Sequence, residues 1–271
     1  MNNIISLDFD FWVDLLNADH HDWGAREAPF FINDIWPIRA ISSLTCGVDL
    51  REECKIAKDE PHPSRFANIL QDHNLQVKQI AVAESHSIGY SWLKRLKNLH
   101  IIHIDAHHDL GYTQIDHRRP MRLANIDCGN WLLALTQLGC VKKITIIYPK
   151  WRLRHDNEWE ESCVRVVEAA GDTELEVHFG LVEHLPMDLN IRKMLVCRSG
   201  AWSPPWLDGD FQDLVFGLTS VSSDITFFGS SVGNTFDSMF ERRIDWDEVE
   251  KNAAQEHILT TGVNHECKTG S

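Results

Sequence analysis

Three short segments bring together residue types that do chemistry in concert. Asp105-Ala106-His107-His108-Asp109 follows directly on the apolar run Leu99–Ile104. In an extended chain Asp105, His107 and Asp109 would share one side, because side chains alternate. Asp8 and Asp10, in Ser6-Leu7-Asp8-Phe9-Asp10, show the same i, i+2 spacing at the end of another apolar run, and Glu84-Ser85-His86 closes a third. Carboxylates and imidazoles converging at strand ends are costly to bury unless a positive charge sits among them. Setting Glu84 and His108 aside, the segments supply four aspartates and two imidazoles. That O/N set suits two hard or borderline divalent ions such as manganese, better than a sulfur-preferring metal. Each segment alone has a plainer reading, as a solvated acidic loop, an acidic strand edge or a core histidine. Their recurrence at three strand ends favours metal.

The elements that must position these residues are legible from periodicity. Strands are expected at Ile4–Asp10, Val77–Ala83, Leu99–Asp105, Lys143–Tyr148, Leu175–Phe179 and Met194–Cys197. Helices are expected at Pro63–Asp72, Ser87–Asn98, Asn130–Leu138 and Glu158–Ala170, the last two stopped by Gly139 and Gly171. Asp245 with Glu248 forms a capping-box signature for a helix running to about Leu259. This alternation predicts an α/β fold: a mostly parallel sheet with helices on both faces and ligands beyond the carboxyl ends of its strands. No repeat or low-complexity linker divides the chain, so residues 1–260 are expected to form a single domain and 261–271 a flexible tail.

Composition narrows the partners. The 271 residues carry 26 Lys+Arg against 40 Asp+Glu, a net charge of −14 with His neutral, which disfavours nucleic acid and favours a cation. No apolar run approaches the ~20 residues of a membrane span, and the start MNNIISLDFDFW lacks the features of a secretory signal. Seven cysteines, an odd number without a Cys-x-x-Cys pair, point to reduced thiols in a cytoplasm rather than a disulfide framework. The oligomeric state is left open, a homo-oligomer included.

The motifs resemble a known superfamily. Asp105-Ala-His-His-Asp109 is similar to the Asp-Ala-His-x-Asp signature of the arginase/ureohydrolase superfamily, Ser6-Leu-Asp8-Phe-Asp10 to its Ser-x-Asp-x-Asp signature, and His86-Ser-Ile-Gly89 to the end of its Gly-Gly-Asp-His-Ser motif. The resemblance implies an arginase/deacetylase-like three-layer sandwich holding two manganese ions per chain. His86 and Asp109 would bind one ion, His107 and Asp10 the other, with Asp105 and Asp8 bridging. The chain departs from the pattern in order, its Ser-x-Asp-x-Asp strand coming first instead of late, as in a circular permutation. Ala83 and Glu84 replace the two glycines before the histidine. Cys128-Gly129-Asn130 resembles the Ser-Gly-Asn that precedes the family's proton-shuttling histidine, but Trp131 and Leu132 follow. After Asp109 the loop that grips free arginine is replaced by a run containing Gly-Tyr-Thr-Gln-Ile-Asp-His-Arg-Arg-Pro. With Cys197-Arg-Ser-Gly-Ala-Trp-Ser-Pro-Pro-Trp206, these departures resemble the peptide arginases of bacterial peptide-natural-product pathways, implying an arginine-containing precursor peptide as substrate and ornithine and urea as products.

Asp109, Glu84 and His117 are the candidate catalytic residues. Glu84 or Glu27 would meet the substrate cation, and His117, His20 or His21 would move protons; each is equally readable as a solvated side chain. His108 points away from His107 by alternation and reads as structural. Trp202 and Trp206 would wall a peptide groove or simply pack, and Arg118-Arg119 would meet an acidic leader or water. Competing readings are a small-molecule ureohydrolase acting on arginine, agmatine or another guanidino compound, a deacetylase-like zinc amidohydrolase, and a non-catalytic module stabilised by metal.

Overall fold

The computed structural model describes residues 1–15, 32–111, 122–154, 170–228 and 244–266. Among them are ten strands: β1 (Asn2–Asp8), β2 (Val13–Leu15), β3 (Cys54–Ile56), β4 (Gln76–Val77), β5 (Ile80–Ala83), β6 (Leu99–Ile104), β7 (Val141–Tyr148), β8 (Glu174–Phe179), β9 (Asn190–Cys197) and β10 (Ile225–Phe228). Seven form the sheet order β10-β5-β9-β1-β6-β7-β8, with β4 pairing on β9, and every pairing in it is parallel. The strands β2 and β3 make a separate antiparallel ribbon.

The central strands are apolar on both faces over most of their length because both faces are covered. Ile5, Leu7, Ile102, Ile104 and Val196 pack on one side with Phe66, Phe211 and Leu214. Ile4, Ile101, Ile144 and Ile146 pack on the other with Leu93, Trp131 and Leu135. Helices Phe66–Asp72 and Asp208–Leu218 supply the first cover, Ser87–Leu93 and Trp131–Gln137 the second. The result is the expected α/β three-layer arrangement. No helix among the described residues is long and apolar enough to cross a membrane.

Several expectations change in detail. The first strand ends at Asp8, and Phe9–Trp12 form a 3-10 turn, because the Asp8 side chain accepts the Asp10 amide at 3.0 Å. The sixth strand likewise ends at Ile104, where Asp105 Oδ1 accepts the His107 amide at 2.7 Å. Both are turns in which a carboxylate replaces the next ladder bond. Asp109 then adopts φ +52°, a left-handed conformation that Asp tolerates better than most residues. Strand alternation therefore does not aim Asp10 or Asp109; the turns do. The expected strand at Val77–Ala83 is two pieces, β4 and β5, and the helix from Ser87 stops at Leu93. Gly139 ends its helix with φ +67° as expected. At Asp245 the carboxylate caps the Glu248 amide at 3.1 Å, but the helix continues through Glu266, into the stretch expected to be a tail. The helix expected at Glu158–Ala170 lies outside the described residues, Ala170 excepted.

Candidate metal centre

The strands β5, β9, β1 and β6 lie side by side, and their carboxyl ends collect the polar residues singled out above. Register explains much of this. Asp8 stands opposite Cys197, which also stands opposite Ala83, so Glu84 and His86 emerge beside the end of β9. On the other flank Leu7 pairs with Ile104, which sets Asp105 next to Asp8. The first strand of the chain is thus the neighbour of the Asp105 strand, as the metal reading required.

Asp8, Asp10, Asp105, Asp109 and His86 are each no more than 4% exposed. His86 Nδ1 lies 3.1 Å from Asp8 Oδ2, 3.3 Å from Asp105 Oδ2 and 3.2 Å from Asp109 Oδ2. His107 Nδ1 lies 2.8 Å from Asp10 Oδ2 and 3.6 Å from Asp105 Oδ1. The two oxygens of Asp105 therefore face different histidines. Two of the donor groups that result are His86-Asp105-Asp109 and Asp10-Asp105-His107, each with donor atoms within 4.8 Å of one another and each able to hold a metal ion. The Asp8 side chain sits on the His86 side through Oδ2, while its Oδ1 accepts the Asp10 amide.

The electrostatics show what the cluster lacks. Burial, then the Asp10 charge, pushes Asp8 up to about 6. Burial and the charges of Asp10, Asp8 and Asp109 raise Asp105 well above the carboxylate range. Against burial, Asp10 and Asp105 hold His107 up at about 10, and Cys197 and Asp8 hold His86 well above an ordinary imidazole. Against burial, the His107 charge holds Asp10 low, and the hydrogen bond to His86 holds Asp109 low. Asp105 Oδ2 lies within 3.3 Å of both His86 and His103, yet it is buried without a hydrogen bond. A buried carboxylate oxygen without a hydrogen bond, close to three other aspartates and to imidazole donors, fits a cation.

Residues around the centre orient it. Ser6 Oγ lies 3.1 Å from His86 Nε2, so the ring's Nδ1 is the one turned to the carboxylates. Trp131 Nε1 donates to Asp109 Oδ2 at 2.6 Å, and its ring stacks on His86 with centroids 5.6 Å apart. Gly89 makes this possible, since a Cβ there would come within 2.7 Å of the Trp131 ring. Ser199 Oγ donates to Asp8 Oδ2. Partners of this kind fix the rotamers and basicity of ligands. His103, fully buried with Nε2 3.3 Å from Asp105 Oδ2, belongs to the same group, and burial takes it down to about 4. Sequence reasoning passed over His103, although its position two residues before Asp105 on one strand face was the available signal.

The remaining candidates fall as follows. His108 is buried, accepts the Leu110 amide through Nδ1 and is pushed by burial down to about 3. Glu84 is beside His86 in the chain, but its Oε2 lies 3.6 Å from Arg198 Nη1, so a guanidinium of the protein itself occupies the acid reserved for a substrate. Trp202 stands 5.2 Å from His107, centroid to centroid, and walls the centre. Trp206 instead packs between Trp36 and Trp246 and donates to the Cys54 carbonyl. Glu27, His117, His20, His21 and Arg118-Arg119 lie outside the described residues. No family model, curated protein or solved structure matches the chain. Its own residues therefore carry the functional reading, and what they form is a buried Asp/His cluster able to hold metal.

Proposed function

We propose that this protein is a binuclear metal hydrolase that converts arginine side chains, within a peptide, to ornithine and urea, with manganese as its working ion. The observation that carries the reading is Asp105, whose two carboxylate oxygens face His86 and His107 on opposite sides. Asp109 then lies with His86 and Asp10 with His107, in keeping with the ureohydrolase resemblance, while Asp8 lies on the His86 side instead of bridging.

When bound, a pair of such cations supplies a water acidic enough to ionise near neutral pH and an anchor for the charge that builds on the carbon under attack. The chain's own residues do the rest. His86 and Asp109 hold one position, with Trp131 fixing Asp109, and His107 and Asp10 hold the other. Four carboxylates against two dications leave no surplus positive charge to repel a guanidinium. Trp202 lies beside His107 and already has the Arg39 guanidinium over its ring at 5.9 Å, so it is an aromatic surface that accepts a guanidinium. In the reaction, water adds to the guanidinium carbon, the bond from that carbon to the side-chain nitrogen breaks, and a proton reaches the departing amine.

A peptide is favoured over free arginine by the sequence after Asp109, which holds nothing recognisable for a free ammonium and carboxylate. Incubation of the manganese-loaded protein with arginine-containing peptides, followed by mass, tests both points. Loss of CH2N2 per arginine with release of urea is expected, and kcat/KM for an internal arginine should exceed that for free arginine. Comparable values for the two would select the small-molecule ureohydrolase, and no turnover of any guanidino compound would end the hydrolase reading.

A further inference from the structure

The donor set was read from sequence as oxygen and nitrogen alone. The fold adds sulfur. Cys197 closes β9 directly opposite Asp8, and side chains at paired positions of parallel strands point to the same face. Its Sγ, a carboxylate oxygen of Asp8 and a ring nitrogen of His86 lie within 4.8 Å of one another, and all three residues are buried. Donors on one tetrahedral ion, with bonds of about 2.0–2.3 Å, are separated by roughly 3–4 Å. A second sign of a cation at the same histidine is Asp105 Oδ2, buried, without a hydrogen bond and 3.3 Å from His86 Nδ1, in the adjoining donor group. Ser199 bridges the two, its Oγ 3.5 Å from Cys197 Sγ while donating to Asp8. Among the described residues no other cysteine shares a donor group with the acids and histidines.

We infer that Cys197 is a ligand of the ion on the His86 side, so that the two metal positions are chemically unequal. The inference rests on the binuclear reading above and limits its manganese assignment to the His107 position. The His107 position offers only oxygen and nitrogen and suits manganese. The His86 position adds a thiolate and favours thiophilic borderline ions such as zinc, cobalt or ferrous iron. As the metal–sulfur bond forms, the thiol proton passes to solvent, and four carboxylates with one thiolate then face two dications. The centre ends with a net negative charge, which suits a cationic substrate.

Titrating the metal-free full-length protein with cobalt tests this without reference to turnover. Two equivalents should bind with visible ligand-field bands, and a near-ultraviolet sulfur-to-cobalt charge-transfer band should saturate with the His86-side equivalent. Cys197→Ser should keep the visible bands and lose the charge-transfer band. Its zinc affinity should fall at least about tenfold, since even outer partners of a metal site cost that much. X-ray absorption of the wild-type protein with one equivalent of zinc needs no variant, and should show a sulfur neighbour at about 2.3 Å beside lighter atoms at about 2.0–2.1 Å. Two bound ions without a charge-transfer band or a sulfur neighbour would overturn the role of Cys197 and leave the binuclear centre standing. A charge-transfer band that survives Cys197→Ser would assign the sulfur elsewhere and also overturn it. Failure to bind cobalt or zinc at all would overturn both readings.

Discussion

Replacing Asp10 by Ala separates a metal ligand from an acidic strand end. Asp10 Oδ2 is 2.8 Å from His107 Nδ1, and Asp10 belongs to the donor group of His107 and not to that of His86 and Asp109, so the change should empty one position and spare the other. At that distance and an effective dielectric of about 20, a charged pair attracts by about 6 kcal/mol gross. Relief of burying the carboxylate takes part of this back, and breaking a buried pair typically costs about 3–5 kcal/mol. In the metal-free protein Asp10→Ala should therefore destabilise the fold by on the order of 3 kcal/mol at neutral pH. The sign of the pH dependence follows from His107, held by Asp10 at about 10, above its ordinary 6.5. That stabilisation is full below the ordinary value and disappears as pH rises through about 10, so the wild type and the variant should converge in alkali. Urea unfolding of the two metal-free proteins across pH, with elemental analysis of the metal-loaded forms, measures both effects. Two metals per chain should fall to one. Asp14→Ala is the control, because Asp14 pairs with Arg154 away from the centre and should leave two. Retention of both ions in Asp10→Ala, with a stability change within the ~0.5 kcal/mol of an ordinary surface substitution, would refute the assignment of this segment to the centre.

Chelation should abolish activity, and manganese should restore it better than magnesium, because a centre with two imidazoles is too nitrogen-rich for a typical magnesium site; full activity in a stripped sample would contradict this. Trp131→Phe removes the indole donor to Asp109 Oδ2, and competition with a chelator should show a roughly 10–100-fold weaker His86-side ion with the His107 side unchanged. Asp208, near Arg198 and away from the metal donors, is raised by burial, against the Arg198 charge, to about 7. Its contribution to stability is greatest below the ordinary carboxylate range and falls as pH rises through about 7. Asp208→Asn should flatten that fall, and parallel thermal-unfolding profiles for the two proteins would count against it.

The layers of the fold were legible because its central strands announce themselves: Leu99–Ile104 and Val141–Tyr148 are apolar on both faces, and only a sheet covered twice accommodates that. Other elements gave weaker signals. The helix Ile32–Thr45 contains Pro37, and the ribbon β2–β3 is three residues a side, so neither had a period long enough to read. At the centre the six expected ligands do come together, but for a reason that strand alternation did not supply. Asp8 and Asp105 each turn the chain by accepting an amide two residues on, and those turns, not extended backbone, bring Asp10 and His107 face to face.

What the linear order hides is adjacency across the sheet. Sequence places Cys197 nearly two hundred residues from Asp8, and nothing in its own strand marks it as different from Cys54 or Cys140. Only the pairing of β9 with β1 sets its sulfur beside an aspartate and a histidine, while Cys54 and Cys140 are buried apart from every donor group. The same pairing explains why an early strand serves as well as a late one. The centre requires that β1 lie between β9 and β6 with Asp8 at its carboxyl end, and parallel register meets that requirement whatever connections join the strands. Order along the chain is then free to vary, whereas order across the sheet is not. An acidic substitution at a sheet position remote from these four strand ends should leave the donor geometry alone, and any change that shifts β1 by one residue would turn Asp8 to the opposite face, taking Asp8 from His86 and Cys197 and displacing Asp10 from His107.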